Sequence, residues 1–464
     1  MTRSSDLQAV AEQLGREPTT QFEVVARCPG GRHPLVIRNH PVDRDGNPFP
    51  TLYWLTCPEA VAGVSRLESE GWIARLDERV EEDPECRERF EDAALDYAAE
   101  RERLFPGAGA LSGVGGSGGG IKCLHAHYAH HLAGGANPIG AWVAERVEPI
   151  HEEPRGRVAA VDMGTNSIRL LVADPKDDDV VEISRDLVIT RLGQDVDRTK
   201  RLDPVALDRT IRVLERYARR ARALRAYRIR VGATSAVRDA SNRERLFAEV
   251  ARVAGASAEV LTGEREAELS FLGATADAPA QPPYLVFDIG GGSTEFAFGT
   301  ERPEASVSLQ LGSVRTHERV KPEDLPTAEE LAAMDRVVEE ALAEVRDAIP
   351  SGAATLVGVA GTTTTVQGIA LGLDSYDPEA LHGSVLSLDQ AERVSERLAS
   401  MTVAERAAIP VMTRGREDVI VAGSRILLGI LRTFGFDDCL VSERDILDGL
   451  AIEMVRSRNG DPTR

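Results

Sequence analysis

The sequence predicts an α/β protein made of two related halves behind a smaller N-terminal domain, and three observations carry that prediction. The chain has 464 residues, beyond the ~250–300 at which a single hydrophobic core stops growing, so more than one domain is expected. From Arg157 onward, apolar runs with β-branched character alternate with long helical stretches such as Pro204 to Arg225. The third observation is an internal repeat. VAAVDMGTNSIRLLVA (Val158 to Ala173) aligns without a gap on YLVFDIGGGSTEFAFG (Tyr284 to Gly299), which places Asp162 on Asp288, Gly164 on Gly290 and Ser167 on Ser293.

Two seams set the expected domain limits. Glu148 to Gly156 (EPIHEEPRG) closes a first domain, residues 1–148, which is read as a small α+β unit. Within it Leu104 to Gly120 is so rich in glycine that residues 106–120 are expected to form a flexible loop. Ala276 to Pro283 (ADAPAQPP) then divides the remainder into halves of similar kind, 157–283 and 284–464.

Composition narrows the function classes. Hydrophobic residues make up 42% and charged residues 28%, as in an ordinary soluble globular protein. A net charge of −20 argues against an extended nucleic-acid surface, so an anionic substrate must meet a local basic pocket. No apolar run approaches the about 18 residues of a membrane span, and the first fifteen residues carry Asp, Glu and Arg where a signal peptide needs an apolar core. A cytoplasmic protein with no membrane partner is expected. Five cysteines in so long a chain fit reduced thiols or a metal site rather than a disulfide scaffold.

Each repeated hairpin has an apolar first strand ending in Asp, followed by a turn of Gly, Ser, Thr or Asn. Small turn residues let backbone N–H groups point at phosphate oxygens, and glycine accepts the positive φ angles such a cradle needs. A bare Asp would repel phosphate, so its expected role is to hold Mg²⁺ directly or through water. For one DxG turn a capped β-turn is the plainer explanation, but two matched copies favour a shared phosphate site. A third turn, Gly358 to Thr365 (GVAGTTTT), would complete the cradle. Between the hairpins, Arg238 follows the strand-like YRIRVGA, and Glu264 and Glu266 open a helix in LTGEREAEL, where acidic residues also suit the macrodipole.

DMGTNSIRLLV, GATSAVRDASN, LTGEREAEL, FDIGGGSTEF and VAGTTTTVQG occur in an order that resembles the exopolyphosphatase/guanosine pentaphosphate phosphohydrolase family over about Arg157 to Arg464. The resemblance implies a duplicated actin-like, ribonuclease-H-like fold in two lobes with the site in the cleft between them. It also implies release of terminal phosphate from inorganic polyphosphate, or of the 5′ γ-phosphate from guanosine pentaphosphate, with Mg²⁺ and in some members a monovalent cation such as K⁺. Carried over by position, it makes Glu266 the general base rather than Glu264. Asp288 and Glu295 become metal-binding carboxylates, with Asp162 facing them. The phosphate cradle is Gly164, Thr165, Asn166 and Ser167 together with Gly290, Gly291, Gly292, Ser293 and Thr294. Arg169 and Arg238 match basic catalytic positions, and Arg191 in TRLGQDV is a further anion-binding choice whose alternative is a surface salt bridge.

Val419 to Gly435 resembles the second interlobe helix, with Gly and Ser allowing close packing. The chain stops soon after SERDILDGLAIEM, which leaves no room for the extra C-terminal helical domains of larger members, and a homodimer is expected from the relatives. Two other functions stay open: a non-catalytic sensor of polyphosphate or the alarmone, and a sugar or acetate kinase of the same fold, against which the GEREA segment argues.

Residues 1–148 resemble an uncharacterised actinobacterial domain family (DUF501-like) through FPTLYWLTCP, the SRLE stretch and KCLHAHYAHHLAGGANPIG. Cys28, Cys57 and Cys123 with His125 or His127 would make a Cys₃His site, but the spacing is looser than a C-x-x-C pair. Core thiols with surface histidines is the plainer reading, so no metal is assigned, and His130 and His131 are read as surface or cap positions.

Overall fold

The structure, a computed structural model, describes residues 3–107, 113–116, 120–147, 156–346 and 348–459. The expected seam at 148–156 lies, Gly156 apart, outside the described residues, as does about half of the Gly-rich stretch. Contacts group the chain into two compact units: Met1–Ala159 with Leu171–Asp186 and Leu214–Ile229 form one, and Ala160–Leu170, Leu187–Val213 and Arg230–Arg464 the other. Among the described residues no helix is long and apolar enough to cross a membrane.

The N-terminal domain is built on three antiparallel strands, β1 (Thr20–Arg27), β2 (Pro34–Asp43) and β3 (Tyr53–Leu55), in the order β1-β2-β3. β1 alternates buried and exposed at its start, as a half-covered strand must, and Phe22 and Val24 pack there with Val10 and Ile37. Helices follow at Pro58–Ser69, Trp72–Glu82, Pro84–Leu104, Leu124–Leu132 and Pro138–Ala144. Asp83 caps the long one, its carboxylate accepting the Glu85 N–H at 3.0 Å.

The surface placement expected for His130 is corrected here. The helix Leu124–Leu132 is buried along most of its length, and the His130 ring stacks on Tyr53 with centroids 5.9 Å apart. His127 lies on Phe90 and faces Asn137. Burial pushes both imidazoles down to about 4, so both pack as neutral rings.

The repeat becomes a repeated sheet topology. In the first copy β4 (Val158–Met163), β5 (Ser167–Lys176), β6 (Asp179–Ile189), β7 (Arg228–Ala233) and β8 (Ala258–Val260) stand in the order β6-β5-β4-β7-β8. The second copy contains β9 (Tyr284–Ile289), β10 (Thr294–Gly299), β11 (Pro303–Leu309), β12 (Thr355–Val359), β13 (Val385–Ser387) and β14 (Asp438–Val441), ordered β11-β10-β9-β12-β14-β13. With the edge strand β13 set aside, both sheets run third, second, first, fourth, fifth. β9, β10 and β11 form an antiparallel meander, whereas β12 and β14 join in parallel after helical crossovers.

The second sheet rests on the helices Ala328–Arg346 and Ile420–Phe434 around Phe287, Phe296, Leu342 and Leu427. Close approach is what the glycines of the latter helix permit, since a methyl at Gly429 would lie 2.4 Å from the Val338 side chain. One expectation differs. GVAGTTTT is no turn: β12 passes through Ala360, at φ 63°, directly into the helix Ala360–Ala370.

Candidate active site

Both hairpins place an Asp one residue before the end of their first strand, Asp162 on β4 and Asp288 on β9. The turns that follow share one hydrogen bond: Gly164 N–H donates to Ser167 O at 2.9 Å, and Gly290 N–H to Ser293 O at 3.0 Å. The turns also meet. A methyl on Gly292 would fall 2.7 Å from both Thr165 Oγ1 and Ser235 Oγ, and one on Gly291 would fall 3.3 Å from Asn166 N. Only backbone without a Cβ lets the two loops come this close.

Between them lies a cleft of about 790 Å³, open solvent at its mouth included. Asp162, Gly164, Thr165, Asn166, Ser167 and Arg169 line it from the first hairpin, and Asp288, Gly290, Gly291, Gly292, Ser293 and Glu295 from the second. Glu266 lines it from the first turn of the helix Gly263–Thr275, while Glu264 on the same turn is exposed. Thr262 caps that helix by accepting the Arg265 N–H, which fixes where its first turn begins.

The carboxylates are held close by strand register and by hydroxyls. Glu295 stands opposite Asp288 in the β9–β10 ladder, so their side chains share one face of the sheet. Ser270 Oγ donates to Asp288 at 3.0 Å and Ser308 Oγ to Glu295 at 2.8 Å. Arg169, the repeat counterpart of Glu295, donates to Asp162 Oδ2 through Nη2 at 2.8 Å and through Nε at 3.0 Å, and reaches Asp445 with its remaining nitrogen. Arg238 is bonded to Glu266 and to Leu261 O, the latter at 2.8 Å. Five carboxylates thus share Arg169 and Arg238, and with Arg416, which also lines the cleft, the formal excess is two negative charges.

That excess shows in proton affinity. Burial raises Asp288 to about 6, assisted by Asp445, and burial with Asp288 alongside raises Glu295 to about 8. Glu266 is pushed well above the usual carboxylate range by burial and by Glu295, against the pull of Arg238. Asp162 is raised by burial although Arg169 opposes it, and its Oδ1 is buried with no hydrogen-bond partner among the described residues. Clustered acids with an unsatisfied carboxylate oxygen are a donor set suited to a hard divalent cation.

Three expected residues do not line the cleft; the first, Arg238, meets it through its bond to Glu266. Arg191 pairs with Asp418 at 2.9 Å and stays partly exposed, which is the salt-bridge alternative. Thr294 is buried and gives its hydroxyl to Leu311 O at 2.6 Å. Conversely, several lining residues went unforeseen. Arg416 lines the cleft and donates to Gly361 O at 3.1 Å, beside the first turn of the helix Ala360–Ala370, whose Ala360, Gly361 and Thr362, from the GVAGTTTT segment singled out in sequence, also line it. Unpaired N–H groups at a helix start suit an anion. Arg416 and Asp445 sit in stretches without internal pattern, so sequence offers no sign of them.

Two convergent glycine turns, a helix start, basic side chains and a buried acid cluster on a duplicated α/β fold define a phosphate-handling enzyme. The chain belongs to the Ppx/GppA phosphatase family, whose model matches residues 171–458. Residues 24–145 match a protein family of unknown function, DUF501. The chain is 42% identical over 314 residues to exopolyphosphatase 2 of Mycobacterium tuberculosis, covering 64% of this chain and 98% of that protein. It is 28% identical over 299 residues to a guanosine-5′-triphosphate,3′-diphosphate pyrophosphatase of Vibrio atlanticus, covering 64% of this chain and 59% of that protein. The crystal structure of an exopolyphosphatase-like protein superposes with a TM-score of 0.63 at 35% identity, over 66% of this chain and 99% of that one.

Proposed function

We propose that the protein hydrolyses terminal phosphoanhydride bonds, of inorganic polyphosphate and of the 5′ end of guanosine pentaphosphate, with Mg²⁺. The observation that supports this most is the meeting of both glycine turns and the buried Glu266 on one cleft. Backbone N–H groups of Thr165 to Ser167 and of Gly291 to Ser293 would cradle the terminal phosphate, and Arg169 and Arg416 would balance its charge. Glu266, held by Arg238, would align water behind the phosphorus and take up its proton; its raised proton affinity suits that task. Asp162, Asp288 and Glu295 would hold the cation, which when bound draws charge from the phosphate oxygens.

Phosphate release by the full chain with Mg²⁺ from short polyphosphate, long polyphosphate and guanosine pentaphosphate tests the reading. Release from at least one is expected. Tight binding with no release from any of the three would make the protein a sensor instead.

The contact between turns gives a second expected result. A methyl at Gly312 would lie 2.4 Å from Gly291 O and 2.6 Å from Gly292 N, so Gly312→Ala must push the second turn out of place. Displacing a binding group by about 1 Å lowers turnover by about 10²-fold. kcat/KM should fall by that order while circular dichroism remains that of the parent; an unchanged kcat/KM would remove the second turn from the site.

A further inference from the structure

In the N-terminal domain, residues that lie far apart in sequence bring two thiols and an imidazole together. The β1–β2 hairpin turns through Cys28-Pro-Gly-Gly-Arg-His33, closed by Cys28 N–H donating to His33 O at 2.9 Å. Gly30 and Gly31 take φ of 72° and 68°, and a methyl on Gly31 would lie 2.5 Å from the Val181 side chain, so the loop is held in one shape. Cys57 arrives from the end of β3 as the cap of the helix Pro58–Ser69. Its sulfur faces the Cys28 thiol and His33.

One ligand atom from each of Cys28, His33 and Cys57 lies within 4.8 Å of the other two. Zinc–sulfur bonds of about 2.3 Å at tetrahedral angles place two sulfurs about 3.8 Å apart, which this cluster accommodates. The set differs from the one weighed from sequence. Cys123 and His125 gather with Glu68 in a separate group, and His127 is committed to Asn137 in the core.

We infer that Cys28, His33 and Cys57 form a zinc site that fastens the β1–β2 loop to the start of the helix Pro58–Ser69, with water as the fourth ligand. Thiolate and imidazole donors select zinc over the oxygen-seeking Mg²⁺ proposed for the cleft. The sulfurs are fully buried and His33 half-buried, so water reaches the site on the imidazole side.

The test uses the full chain without a metal-binding tag, purified under reductant, dialysed against metal-free buffer and analysed for metal by mass spectrometry. One zinc per chain is expected, retained in excess Mg²⁺ and released when a mercurial titrates the thiols. Cobalt loaded in its place should show the near-ultraviolet band of thiolate coordination and tetrahedral d–d absorption, a readout of the parent chain that needs no folded variant. Cys57→Ser should reduce zinc to background and His33→Ala should lower it at least tenfold, whereas Cys123→Ser should leave it. No zinc in the reduced parent and no thiolate band with cobalt would overturn the assignment. So would zinc that survives Cys57→Ser but not Cys123→Ser, or a Cys28–Cys57 disulfide that takes up no cobalt once reduced.

Discussion

Replacing Glu266 by Gln is expected to lower phosphate release by about 10²–10⁴-fold, the range for a lost general base, while leaving substrate binding intact. Gln keeps the shape and an acceptor oxygen for Arg238, so the helix start need not move. It removes a negative charge that Glu295 already disfavours, so an anionic substrate meets less repulsion than in the parent. The signature is therefore a collapsed kcat with KM unchanged or lower. Glu264→Gln, on the same turn but exposed, should do nothing. Release by the Glu266→Gln variant at the parental rate would mean that another group handles the water, and Glu295 would be the next to replace.

What sequence could reveal here tracks how local the signal is. The gapless repeat predicted that Asp162 and Asp288 would hold equivalent places, and the equal strand orders of the two sheets follow from it. Glu266 was separable from Glu264 only through resemblance, since helix-start acids are ordinary; burial distinguishes them in three dimensions. Arg416 and Asp445 enter the site from loops near the C-terminus, through long-range folding that leaves no trace in spacing. Arg191 shows the opposite case. Its stretch resembled a basic motif, yet Asp418, 227 residues away by number, lies at hand to pair with it. In the N-terminal domain the cysteines were visible but their partners were not, because a hairpin loop, rather than a short motif, brings His33 back to Cys28.

The largest stability effect is expected at Arg216. It lies on the helix Pro204–Ala223 and donates to Glu100 Oε1 at 2.7 Å, and Glu100 belongs to the helix Pro84–Leu104 of the N-terminal domain. Both side chains are more than nine-tenths buried. Arg220, one turn further on, is fully buried between Asp186 at 2.9 Å and Ala133 O at 2.8 Å. Removing one member of a buried pair strands the other's charge, which costs about 3–5 kcal/mol. Arg216→Ala should therefore lower the unfolding free energy of the compact unit that holds both residues, read from denaturant titration at pH 7, by that amount, leaving Glu100, among the described cations, the more exposed Arg103 at 3.6 Å.

The pH dependence has a definite sign. Burial alone would raise the Glu100 carboxyl, but Arg216 and Arg103 overcome it and hold the group at about 2, below its ordinary 4.5. A depressed carboxylate stabilises the fold above its ordinary value and loses that contribution as pH falls through the folded one. The gap between parent and Arg216→Ala should thus be widest near neutrality and close between about pH 4.5 and 2. Arg216→Met with Glu100→Leu, which removes both charges and keeps volume, should recover most of the loss. A gap that stays constant with pH would show that Arg216 acts through its packed stem rather than through its charge, and the tie between the N-terminal domain and that helix would then be apolar.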